Sequence, residues 1–508
     1  MKAEITKWYQ NKEVAFAIGV DELPIGGSYH SGPKKEKWDS FYWYRTKNNF
    51  WTKYWKPILD KNPWIKYSLG WVPNHTSFLN TRNYPEPQGV DKKELSWETP
   101  TGKQWIKEVM MPIFAYGSKQ YDAYTVHGYY HEIPMSYYYP YWNKQAQPKE
   151  WPYNDPKFFE NELKSIQKVF KQTWKHNALT LNTFPFGGAR PDSPHYLSKN
   201  GIYAAGFWLD MKDVKEIDPC SGLKTLKKGT KSYKRPLGSP IEPEGTWYDN
   251  RPTHTAIVGD IRYWEQDADL IKSGGKIIGV PYSLSLEGTT RNFKKRVKQM
   301  IKEYNKFDAP TLYYFMHAQM DWIDALGGSS PMHLIKGFLE EIKFPYLNNI
   351  NFSQKKTKYI TGLITLASIA LAMGLNSIPF VIISALLIVT GLISRIKIYG
   401  LNARKHDKQM QWLYKNYVDK IWTTDISTLT QYYDLRKRSK ITQKGKVITM
   451  DTRNCFDWDG REIPITLKLD REIKKCKVKN KIYTQESSTF LEIHINPKDK
   501  QTEIQLID

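Results

Sequence analysis

The chain has 508 residues, 40% of them apolar and 14% aromatic, so it can bury enough surface to fold but exceeds one hydrophobic core, which stops growing at roughly 250 to 300 residues. A formal net charge of +23 calls for an anionic partner; with Lys and Arg spread along the chain and no nucleic-acid motif, membrane lipid is favoured and no nucleic acid is expected. The cysteines, Cys220, Cys455 and Cys476, lack the spacing of a disulfide scaffold or a zinc knuckle, and the early apolar run, 14–20, is too brief for a secretory leader.

In chain order, short β-rich apolar runs occupy residues 14–20, 65–72, 121–126, 179–184, 202–209, 255–261, 276–281 and 311–317. Amphipathic helices are predicted at 158–175 and 292–306. This alternation predicts an α/β fold, an open or irregular (β/α) barrel over residues 1–345. Residues 360–375 and 378–393 then carry no charge and are separated by Asn376 and Ser377. They read as a transmembrane or re-entrant helical hairpin within 346–410, with a buried soluble pair as the alternative. Its basic flanks, among them Lys355, Lys356, Arg395 and Lys397, place a membrane protein's soluble parts on the cytoplasmic side. Helices are predicted at 407–419 and 424–438, the segment 411–440 docking back on the barrel. From Lys444 the pattern switches to period two, predicting a small β-domain over 441–508 that ends in a hairpin turning at 496–500.

Barrel chemistry belongs at the carboxyl ends of strands. Asp21 and Glu22 follow the first run, where adjacent carboxylates serve as a base and a metal ligand, or as a cap and a solvated acid. His127 and His131 follow the third, four apart across a Gly, a spacing at which both imidazoles can meet one cation; otherwise they are surface or capping residues. Arg190 lies in a Gly-rich loop ahead of an apolar run that ends near Asp210, an arrangement suited to orienting a base. His317 closes the last run, as a general acid or as a structural residue. The aromatic stretch 129–143, with Tyr129, Tyr130 and Trp142, offers faces for sugar rings, or packs on the barrel rim.

In this order the residues resemble the polysaccharide deacetylase family, the NodB-like carbohydrate esterases. The matching elements are "VDE" at 20–22, "HGYYH" at 127–131, "ARPDSP" at 189–194, "FMH" at 315–317 and "GWVPN" at 70–74, over roughly residues 13–344. The resemblance implies a NodB-type barrel with a divalent metal, most often zinc, held by Glu22, His127 and His131. It implies Asp21 as base, Arg190 as its orienter, Asp210 (or Asp260) as the acidic motif and His317 as acid. The implied reaction is hydrolysis of the acetamido group of an N-acetylated sugar, in a glycan or a lipid-linked precursor. Glu22 replaces the usual Asp, and the Gly expected after Arg-Pro is absent. A catalytically silent glycan-binding protein and a hydrolase of a non-sugar amide are the competing readings.

Overall fold

The computed structural model describes residues 3–23, 56–71, 73, 121–122, 124–128, 156–182, 193–207, 261–265, 275–281, 283–285, 290–316 and 401–507, with isolated positions 103, 107 and 111. Its strands are β1 (Glu4–Ile5), β2 (Val14–Leu23), β3 (Tyr67–Trp71), β4 (Tyr121–Asp122), β5 (Thr125–Val126), β6 (Thr180–Leu181), β7 (Ala204–Phe207), β8 (Arg262–Glu265), β9 (Lys276–Pro281), β10 (Leu284–Ser285), β11 (Thr311–Met316), β12 (Ile421–Thr424), β13 (Lys440–Lys444), β14 (Val447–Asp451), β15 (Ile463–Val478), β16 (Lys481–Ile495) and β17 (Gln501–Ile507). The helices are α1 (Lys56–Lys61), α2 (Pro156–Trp174), α3 (Ser193–Lys199), α4 (Thr290–Glu303), α5 (Leu401–Tyr417) and α6 (Ile426–Arg438).

The first sheet runs β10-β11-β2-β3-β5-β6-β7-β9-β8, with β12 added on β2 and β4 on β3. Every pairing in it is parallel except that of β8 with β9. Only Tyr282 and Ser283 separate β9 from β10 in the chain, yet β9 stands near one end of the ladder and β10 at the other. The sheet must therefore curl to bring those ends together.

Alternation along β2 shows what lies on each face. Val14, Phe16, Ile18 and Val20 join a core with Leu163, Ile166 and Phe170 of α2, Phe293 and Val297 of α4, and Met410 and Leu413 of α5. Ala15 and Ala17 face a second core shared with Leu429, Tyr432 and Leu435 of α6 and with the apolar face of the antiparallel sheet. On this inner side the strands carry small residues, among them Gly19, Ser68, Gly70, Thr125, Thr180 and Gly206. The space they leave admits α6. Its Ile426 N–H donates to Ser68 Oγ at 2.7 Å, and Ser427 Oγ lies 3.0 Å from Thr180 Oγ1, itself 3.0 Å from Thr125 Oγ1.

The second sheet runs β1-β15-β17-β14-β13, with β16 on β15, and all its pairings are antiparallel. Its inner face closes over the amino end of the curled sheet. Asp434, fully buried on α6, accepts from Phe456 N–H at 2.8 Å and from Trp458 Nε1–H at 2.9 Å, pinning the loop before β15.

This architecture corrects the NodB-type irregular barrel with an apolar hairpin that the pattern predicts. The βα alternation breaks at β8, which turns back antiparallel to β9 and ends the ladder. A late strand, β12, pairs with Val14–Ala17 of β2, and α6 fills the interior that barrel side chains would occupy. Among the described residues no helix is long and apolar enough to cross a membrane; the charge-free runs 360–375 and 378–393 lie outside them. The hairpin expected around 496–500 is also different. A turn does separate β16 from β17, but both pair with β15 and not with each other.

Candidate functional site

The carboxyl ends of the parallel strands gather what the sheet offers for chemistry. On β2, Val20 stands opposite Leu69 of β3 and Leu23 opposite Trp71. Three steps along β2 thus match two along β3. The extra residue is a bulge spanning Asp21 and Glu22, and bulges recur beside active sites, where they change which residue a strand presents.

His127 directly follows β5, two strands from β2 in the ladder. Its N–H donates to Trp71 O at 2.9 Å, and the side chain is 2% exposed. Gly128 then turns the chain at φ 97°, a left-handed conformation open to glycine at little cost. On the next strand, Asn182 follows β6 and its N–H donates to Val126 O at 2.7 Å. The Tyr313 hydroxyl of β11 reaches across the sheet interior to donate to Asn182 Oδ1 at 2.5 Å, with Asn182 O 3.0 Å away.

Three glycines make room for this pair. A Cβ on Gly19 would collide with Tyr313 Oη and Asn182 Oδ1; one on Gly70 would lie 2.9 Å from His127 Cβ and 3.0 Å from Asn182 Nδ2; one on Gly206 would collide with the Asn182 carbonyl. Asn182 and Tyr313, both fully buried, therefore form a polar floor at the level of His127 and just below the bulge. Neither residue stood out in the sequence. The signal available was the recurrence of Gly on β2, β3 and β7 at inward positions near the strand ends.

Of the expected site residues, Asp21 and Glu22 are placed by their backbone and His127 in full. His131, Arg190, Asp210, His317, Tyr129, Tyr130 and Trp142 lie outside the described residues. Among the described residues no group of three or more His, Cys, Asp or Glu is arranged to hold a metal.

Cys455, Cys476 and His406 are held inert by burial. Burial pushes the Cys455 thiol up to about 12 and Cys476 up to about 11, so neither is a nucleophile near neutrality. His406 of α5 is driven down to about 3 by complete burial behind the sheet, 2.9 Å from Tyr67 Oη, and is a neutral core residue. No family model matches the chain, and no curated protein matches it significantly.

Proposed function

We propose that the chain is a metal-dependent hydrolase that removes the acetyl group from an N-acetylated sugar of a glycan or lipid-linked precursor. The observation that carries this reading is the Asp21–Glu22 bulge at the carboxyl end of β2, two strands from buried His127 in the ladder. A carboxylate pair and an imidazole at the ends of strands two apart in one ladder are the parts of an amide hydrolase.

The donor types suit a divalent cation, since imidazole nitrogens and a carboxylate are ordinary zinc ligands. His127, His131 and Glu22 would hold it, and once bound it would polarise the amide carbonyl and acidify the attacking water. Asp21 takes the water's proton, while the Arg190 guanidinium favours the ionised form of that carboxylate and orients it, and Asp210 supplies the acidic motif beside the arginine. His317 gives a proton to the departing nitrogen. The C–N bond breaks, leaving acetate and a free amino sugar. Tyr129, Tyr130 and Trp142 supply ring faces for the pyranose.

The test is acetate release from N-acetylglucosamine oligomers and lipid-linked N-acetyl sugars by zinc-loaded protein, beside its metal content. His127→Ala is expected to lose bound zinc and at least about a hundredfold in kcat. Absence of zinc uptake together with absence of acetate release would overturn the proposal.

A further inference from the structure

At the amino end of the curled sheet, remote from the bulge, a cleft of about 500 Å³ opens along the seam with the antiparallel sheet. That volume falls within the roughly 300 to 1,000 Å³ of ligand pockets. It is lined by the turn before β2, Lys66 just ahead of β3, Val418 after α5, β12, the first turn of α6, Arg461 and Glu462 ahead of β15, and single residues of β15 and β16.

Tyr9, Trp422 and Pro464 provide apolar walls, and among them stand the planar polar groups of Gln10, which donates to Glu492 Oε2 at 3.2 Å, of Arg461, which donates to Asp425 Oδ1 at 2.8 Å, and of His494. Flat apolar surface beside paired donors and acceptors is what a pyranose requires, because its C–H face packs on rings and its vicinal hydroxyls take two hydrogen bonds at a time. The backbone at the rim is strained. Gln10 adopts φ 57°, where residues other than glycine and asparagine rarely sit, and such strain clusters at ligand sites.

The sign of the cleft follows from its charges. Both lining carboxylates are already paired, Asp425 with Arg461 at 2.8 Å and Glu462 with Lys481 at 2.5 Å. The Lys12 ammonium donates to the Val418 and Asp419 carbonyls, at 3.2 and 3.1 Å, neutral acceptors that bring no opposing charge to the cleft. We propose that this cleft is a second, non-catalytic binding site for an acidic saccharide, holding a glycan at the end of the molecule opposite the carboxyl-end site.

The experiment is calorimetric titration of the full chain at physiological ionic strength. The probes are a hexasaccharide of alternating glucuronate and N-acetylglucosamine, the neutral N-acetylglucosamine hexamer, inorganic phosphate and single-stranded DNA. The acidic hexasaccharide is expected to bind wild type and His127→Ala equally, which separates this site from the proposed reaction. Lys12→Ala and His494→Ala should each weaken it about fivefold. Gln10→Gly, which relieves the backbone, should weaken it while leaving the circular dichroism unchanged. Because Lys12 also bonds the residues after α5, His494→Ala, at an exposed position, is the variant that isolates the ligand contact. Equal binding of the neutral hexamer, of phosphate or of DNA would overturn the assignment, as would binding that none of the three cleft variants alters.

Discussion

Gly206 shows how little freedom the interior of the curled sheet leaves. A Cβ there would collide with the Asn182 carbonyl, a backbone atom fixed by the β5–β6–β7 ladder, whereas at Gly19 the colliding atoms belong to the Tyr313 and Asn182 side chains. The Tyr313 and Asn182 side chains can give way by loosening the hydrogen bond between them; a laddered backbone cannot. Gly206→Ala is therefore expected to cost about 3 kcal/mol and Gly19→Ala about 1 kcal/mol, read from urea midpoints at constant slope. Equal costs would mean that the interior yields as a unit. At this scale the candidate site was only partly legible. Adjacent Asp21 and Glu22 announce themselves by residue type, and His127 by its place after an apolar run. Asn182 and Tyr313 do not, because their partnership spans 131 positions and no local pattern encodes it.

Among the elements, local periodicity did well where one face is apolar. The helices expected at 158–175 and 292–306 appear as Pro156–Trp174 and Thr290–Glu303, and the runs 14–20, 276–281 and 311–317 fall on β2, β9 and β11. What the sequence could not convey was pairing. β12 joins β2 across some 400 residues, and β15 separates β16 from β17. α6 was expected as a helix at 424–438 and appears as Ile426–Arg438, but the depth of its burial was not legible. Its Ser427, Thr430, Gln431 and Asp434 are polar, as on a solvent-washed helix, yet all four are fully buried. Asp434 is the one whose removal should matter most. Asp434→Ala would deprive the buried Trp458 Nε1–H and the part-buried Phe456 N–H of this acceptor and remove an ion pair from Arg438. A loss of about 3 kcal/mol is expected, against about 1 kcal/mol for Asp434→Asn, which keeps one acceptor oxygen. Thermal unfolding of the two variants side by side separates these outcomes, and similar midpoints would show that charge, not the acceptor, is what the loop requires.

For the molecule as a whole, a shared core has a consequence for pH. Trp8, just after β1, packs 5.9 Å from Trp422 and 5.8 Å from Tyr432, so the chain's start, β12 and α6 are tied to both sheets. The two sheets should accordingly unfold in one transition. His406 makes that transition sensitive to acid. Burial holds its folded pKa near 3, below the ordinary 6.5. Above 6.5 neither state carries the proton, and the residue's contribution to stability is complete. As pH falls below 6.5 the unfolded chain binds a proton that the native core refuses, so stability declines by up to about 1.4 kcal/mol per pH unit until the folded pKa is reached. His176, also lowered by burial, steepens the same window. Asp407 and Asp425, held below the usual carboxylate range by hydrogen bonds and by Lys61 and Arg461 respectively, add losses only at more acidic pH. Urea unfolding at pH 7.5, 6.0 and 5.0 should therefore show stability falling before any carboxylate titrates. His406→Gln should flatten that slope by about one proton while keeping a hydrogen-bonding group beside Tyr67. An unchanged slope in His406→Gln would mean that the imidazole does not stay neutral in the core, and separate transitions for the two sheets would mean that α6 does not couple them.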